Sequence, residues 1–351
     1  MTSRERVMTA FEHRPPDRVP AWCGASPEFW ENAKRSAGLD DEGLRVRLGD
    51  DFRRVRAIYA GPEFSLSSGA TSRTIFGIER EGLGYGQPTS HLLANATIAE
   101  VHAYPWPDPE WMDVSQMRRE AEQYGGKYAV LGGDWSPFFH DAVDLLGMDT
   151  LFLKMFDEPA LVDAVLGHLV DFYAAVSERI FDSAASALDI FFLGNDFGTQ
   201  RGPAMSPALF RRFMLPHLER FVRLGHGYGL KVMMHCCGGY APLIPQMIEI
   251  GLDGLHAVQP SCEGMDLATL KRSFGHRILF NGAIDSHHVL IKGTPDYVRD
   301  ETRKVLEIMK TGGGYVAGAS HDYILEETPV ENVFAMFDAI AEFGQYNSAA
   351  D

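Results

Sequence analysis

Short runs rich in Val, Ile, Leu and Phe recur along this chain, each bounded by glycine or polar residues. The clearest occupy residues 19–23, 128–132, 188–194, 231–235, 254–258, 278–281 and 315–319, with a less regular one at 55–59. Apolar character on both faces marks a strand buried on both sides, as in a parallel sheet covered by helices. Between the runs lie amphipathic stretches with readable starts. Residues 1–18 read as a helix followed by a proline-rich turn, His13-Arg14-Pro15-Pro16-Asp17-Arg18. Ser206-Pro207 sets an N-cap serine before a first-turn proline. Asp157-Glu158-Pro159 opens the amphipathic stretch 160–181, and Thr328-Pro329-Val330-Glu331 fits a capping box. Strand–helix alternation of this kind, repeated about eight times, predicts a closed (β/α)8 barrel of the α/β class. Residues 60–110 depart from the pattern with Gly84-Tyr85-Gly86-Gln87-Pro88 and Tyr104-Pro105-Trp106-Pro107-Asp108-Pro109, which predicts an inserted loop region containing a hairpin. No internal repeat or low-complexity linker interrupts the chain. Residues 1–351 therefore read as a single domain with an N-terminal elaboration.

Composition narrows the function. A hydrophobic content of 45% and a charged content of 23% are those of a soluble globular protein. No uninterrupted apolar stretch reaches the roughly 18 residues of a membrane span. The start, Met1-Thr2-Ser3-Arg4-Glu5-Arg6-Val7, lacks the apolar core of an export signal, so a cytoplasmic protein with no membrane partner is expected. The net charge of −16, dispersed along the chain, argues against nucleic acid as a partner because phosphate binding needs a basic surface. Four cysteines, Cys23, Cys236, Cys237 and Cys262, are too few for a disulfide framework. Their cluster points to metal ligation or chemistry. A homodimer is compatible with the sequence, which does not fix the oligomeric state.

The polar residues that follow the strands carry the candidate chemistry, because barrel enzymes work at the C-terminal ends of their strands. These are Asp134, Asn195-Asp196, His235 with Cys237, Gln259, Asn281 with Asp285, and Ser320-His321-Asp322. Singly, each could be a helix cap or a loop hydrogen-bonding group. The motif His235-Cys236-Cys237-Gly238 is the most informative. Alternate residues of an extended segment point the same way, so His235 and Cys237 present an imidazole and a thiol on one side, half of a tetrahedral zinc site. The plain alternative is a core histidine beside an inert buried thiol. His321, after a strand flanked by glycines, falls at the same rim. Cys236 is expected to face away from Cys237, and His287-His288 to be a solvated helix start.

The chain resembles the uroporphyrinogen decarboxylase superfamily over nearly its full length, and most closely its corrinoid-dependent methyltransferase branch, which includes methylcobalamin:coenzyme M methyltransferases. The resemblance is carried by Asp17-Arg18-Val19-Pro20, Leu48-Gly49-Asp50-Asp51-Phe52-Arg53, Gly194-Asn195-Asp196-Phe197-Gly198-Thr199-Gln200, His235-Cys236-Cys237-Gly238, Gly282-Ala283-Ile284-Asp285 and Glu327-Thr328-Pro329-Val330-Glu331-Asn332. It implies a (β/α)8 barrel in which His235 and Cys237 are zinc ligands. The third ligand of the coenzyme M enzymes is a cysteine from the loop that here reads Ser320-His321-Asp322-Tyr323-Ile324. With no cysteine there, His321 or Asp322 substitutes, and His321 is preferred because imidazole is the commoner zinc ligand. The reaction implied is methyl transfer between a corrinoid (cobalamin) on a separate carrier protein and a small thiol or methylated small molecule. Asp196 would orient a ligand histidine or the substrate, and Gln259 and Asn281 would be polar contacts to the cofactor. The alternative is a metal-free carboxy-lyase acting on a tetrapyrrole or related acid. Uroporphyrinogen decarboxylases resemble one another in an N-terminal Arg-Gln-Ala-Gly-Arg segment that holds the substrate carboxylates. Here residues 21–30 contain no arginine, which counts against that activity.

Overall fold

The computed structural model describes residues 1–82 and 86–346; the predicted turn at Gly84-Tyr85 lies outside them. Seven strands form one sheet of parallel neighbours in chain order: β1 Phe52–Arg54, β2 Ala129–Gly132, β3 Ile190–Gly194, β4 Lys231–His235, β5 Gly254–Val258, β6 Leu279–Ile284 and β7 Tyr315–Ala319. The sheet closes through Ala21, which bridges in parallel to Asp50 on one side and Ala317 on the other. Trp22 N–H donates to Ala317 O at 2.9 Å, Ala317 N–H to Pro20 O at 2.8 Å, and Asp51 N–H to Ala21 O at 3.0 Å. The run predicted at 19–23 is thus the eighth stave, pared to one bridging residue. A helix follows every stave, giving a (β/α)8 barrel.

Alternation along the strands separates two cores. Facing inward are Phe52, Ala129 and Leu131, Ile190 and Phe192, Met233, Leu279, Val316 and Trp22, sealed by Val7, Ala10 and Phe11 of the helix Ser3–Phe11. The intervening residues, such as Val55, Val130, Phe191, Val232 and Phe280, pack outward against the helices. The barrel interior is therefore filled with apolar side chains, and any polar inward position above them sits on a dry floor.

Three details differ from the sequence reading. The strand predicted at 55–59 lies at Phe52–Arg54, while Ile58–Tyr59 pairs antiparallel with Met112–Asp113 outside the barrel. Arg53 made the true strand look polar, yet its guanidinium is buried against Glu42 and 3.7 Å from the Tyr128 ring centre. Thr328 does not cap the last helix, Val330–Phe343, whose N-cap is Pro329 without a side-chain bond. The region 60–110 holds three antiparallel strands, Ser72–Arg73, Glu79–Glu81 and Gln87–Pro88, and a helix, Ile98–Ala103. Pro159–Ala187 is long and apolar enough to cross a membrane by length and composition, although charged residues interrupt it and 61% of its most apolar window is buried in the fold.

Candidate metal centre and cavity at the barrel mouth

Continuing each strand's inward alternation past the apolar floor brings polar side chains to the C-terminal mouth. Above Met233 come His235 and Cys237; above Leu279 comes Asn281; above Phe52 come Arg54 and Arg56. Parallel register sets His235 of β4 beside His256 of β5, and their Nδ1 atoms lie 3.0 Å apart. On the other side, His235 Nε2 lies 3.2 Å from Asp196 Oδ1. That same oxygen accepts the Cys237 N–H at 2.8 Å, and Asp196 Oδ2 is 3.2 Å from His140 Nε2. Donor atoms of Asp196, His235 and Cys237 all lie within 4.8 Å of one another, and so do those of His235, His256 and Asp322.

His321 joins neither group: its Nδ1 lies 3.3 Å from the N–H of Tyr323 in its own loop. The structure thus brings Asp196 to His235 and Cys237, and does not bring His321 to them. Gln259 accepts the Gly238 N–H at 3.1 Å, fixing the turn that follows Cys237. Asn281 is fully buried with its Oδ1 unpartnered. Asp285 caps the following turn, accepting the N–H groups of His287 and His288. Cys236 is buried in the outer core, and its sulfur accepts the Phe197 N–H at 3.4 Å.

Electrostatics tie these groups together. Burial works against a charged His235, but the hydrogen bond and charge of Asp196 outweigh it and raise its pKa. Asp196 is held well below the usual carboxylate range: its burial is more than offset by hydrogen bonds from His140 and His235. Burial, then the neighbouring His235, pushes His256 well below the usual imidazole range. A neutral His256 accepting at Nδ1 carries its proton on Nε2, which has no acceptor. This network assigns the Nδ1 proton to His235, and its Nε2, which donates to Asp196, is the atom that would bind a metal on losing its own proton. Burial, and then Asp196, raise the Cys237 thiol far above its usual range, so its thiolate requires a cation. One imidazole nitrogen, one thiol sulfur and one carboxylate oxygen are a donor set that fits zinc.

The turn after Cys237 depends on two glycines. A Cβ on Gly238 would stand 2.5 Å from the Gly198 carbonyl carbon, and its φ is +86°. Backbone meets backbone, so no side chain can yield. Gly238→Ala is expected to cost more than about 2 kcal/mol through strain and collision together. Denaturant unfolding checks this, and a change below measurement error would contradict the close approach.

Sequence reasoning missed His256 and the mouth arginines. Two adjoining cavities of about 120 and about 240 Å³ open there, both lined by Arg54, Arg56, Asp322 and Tyr323. Trp135 forms part of the second, and its ring centre is 5.6 Å from that of His235.

The family model described as uroporphyrinogen decarboxylase (URO-D) matches residues 86–343. The chain belongs to this family. Relatives of this URO-D family member include a uroporphyrinogen decarboxylase of Alkalilimnicola ehrlichii, 24% identical over 96% of this chain and 93% of the relative. They also include the methylcobamide:CoM methyltransferase MtbA of Methanosarcina acetivorans, 22% identical over 88% of this chain and 89% of that protein. Among solved structures, a methyltransferase from Methanosarcina mazei superposes with a TM-score of 0.70 at 19% identity, covering 98% of this chain and 99% of that one. At that identity the likeness establishes the barrel fold. Both reaction types occur among relatives at similar distance, so the family alone does not choose between them.

Proposed function

We propose that this URO-D family member is a methyltransferase that moves a methyl group between a corrinoid on a separate carrier protein and a small thiol or methylated small molecule. His235, Cys237 and Asp196 would hold a zinc ion at the barrel mouth. The observation that carries the reading is the convergence of these three donors within 4.8 Å. When bound, zinc would keep a substrate thiol as the nucleophilic thiolate at neutral pH. The chain's own residues do the rest. His256 fixes the tautomer of His235 through the Nδ1 contact, and Asp196 takes the place that the sequence alone offered to His321. Gln259 steadies the Gly238 amide and with it the direction of Cys237, and the free oxygen of Asn281 offers a buried polar contact. The metal-free lyase reading draws support from one observation, that Arg54 and Arg56 at the mouth have no ion pair among the described residues.

The two readings separate in one assay. Zinc-supplemented protein incubated with methylcobalamin and a panel of small thiols is expected to demethylate the cobalamin, followed by its visible spectrum, and His235→Ala is expected to stop it. No thiol-dependent change, together with release of carbon dioxide from a tetrapyrrole acid by metal-free protein, would overturn the proposal.

A further inference from the structure

Two cations at the barrel mouth take no part in holding a metal. Val55 packs into the outer core, so alternation turns Arg54 and Arg56 inward, and both line the two cavities. The Arg54 guanidinium carbon lies 5.1 Å from the Trp135 ring centre and 4.9 Å from that of Phe192. Neither arginine forms an ion pair or hydrogen bond among the described residues. Their neighbours behave differently. Arg45 and Arg53 line the first cavity too, but each is paired, with Asp50 and with Glu42. Asp134 and Asp322 face Arg54 across the cavity without reaching ion-pair distance.

A guanidinium covered by aromatic rings keeps its in-plane N–H donors available, and a carboxylate matches that edge with two parallel hydrogen bonds. Desolvation and then the like charge of Arg56 push Arg54 down to about 10, a penalty that a bound anion relieves. A second donor stands in the same wall. Trp22 is 7% exposed, and its indole N–H has no acceptor. Position completes the picture. Trp135 lies between Arg54 and His235, contacting the first at 5.1 Å and the second at 5.6 Å. Asp322 belongs both to the cavity wall and to the His235–His256 group.

We infer that the small-molecule substrate carries a carboxylate, or an oxyanion of the same charge, that docks on Arg54 and Arg56 and points its reacting end past Trp135 toward His235 and Cys237. Arg54 is the specificity-determining residue, and Arg56 adds charge at the entrance. The inference rests on the methyl-transfer reading for the reacting end alone.

The test is calorimetric binding of 3-mercaptopropionate and its neutral amide, which differ only in the anion. The wild-type protein is expected to bind the acid about tenfold or more tighter than the amide. Arg54→Gln is expected to abolish that preference, Arg56→Gln to reduce it, and Arg54→Lys, which keeps charge without the planar fork, to retain part of it. Cys237→Ala is expected to weaken both thiols alike and keep the preference for the acid. Propionate, which has no thiol, is expected to change tryptophan fluorescence in the wild type and not in Arg54→Gln. Equal affinity for acid and amide, no binding of either, or a preference undiminished in all three arginine variants overturns the anion site. A preserved preference with no effect of zinc or of Cys237→Ala leaves the anion site standing and sinks the metal reading instead.

Discussion

Cys237→Ala is expected to leave the barrel folded while removing both zinc and methyl transfer. The thiol is one of the three donors that converge at the mouth, and burial with Asp196 nearby keeps it protonated unless a cation is present. Losing it removes the only soft donor of the set, and a Lewis-acid centre contributes several kcal/mol, on the order of a thousandfold in rate. Wild-type protein should retain one zinc per chain after dialysis, and the variant next to none. Cys236→Ala is the matched control, since that sulfur lies in the outer core and accepts a backbone N–H from Phe197; it should keep metal and activity. His235→Ala is a less clean probe, because it also strips Asp196 and His256 of their shared partner. Full activity in metal-free Cys237→Ala would refute the metal site.

Asp51→Ala is expected to produce the largest loss of stability. Asp51 is 0% exposed, yet its carboxylate accepts from Arg6 at 2.8 Å, from Arg18 at 2.9 and 3.0 Å, and from the Ala21 N–H at 2.8 Å. Its backbone bonds both to Ala21 and to Ala129 of β2. The residue thus fastens the one-residue stave to the rest of the barrel. Removing one partner of a buried charge network costs about 3–5 kcal/mol because the remaining charges lose their compensation. Arg6 keeps Asp17 and Arg18 is partly exposed, which places the effect toward the lower end. Arg212→Ala, breaking an exposed pair with Asp163, should change stability by less than about 1 kcal/mol. Urea unfolding of both variants checks the contrast. A loss at Asp51 no larger than that at Arg212 would mean that the closure does not depend on this network.

Most of the barrel was legible because buried parallel strands advertise themselves as apolar runs, and seven of the predicted runs coincide with a stave. The eighth prediction slipped by three residues. Apolar Val55 and Ile58-Tyr59 drew the strand toward themselves, whereas Arg53 and Arg54 obtain their burial from tertiary partners that a local pattern does not display: Glu42 and Tyr128 for one, Trp135 and Phe192 for the other. The metal group was half legible. His235 and Cys237 share a strand, so their spacing reveals their common direction. Asp196 sits two residues past the end of the neighbouring strand, where the sequence suggests an orienting role; its place beside both donors follows from the pairing of β3 with β4. His256 was hidden among apolar neighbours, and only the β4–β5 register shows it opposite His235. His321 looked favourable by chemistry and rim position, but the turn of its own loop holds its ring against Tyr323.

The most direct measurement is zinc-edge X-ray absorption on the zinc-loaded wild-type protein and on Cys237→Ala. One sulfur at about 2.3 Å with nitrogen and oxygen neighbours at about 2.0–2.2 Å is predicted for the wild type, with the sulfur shell absent from the variant. A zinc shell of nitrogen and oxygen alone in the wild type, or a sulfur shell that survives the loss of Cys237, would contradict the proposed centre.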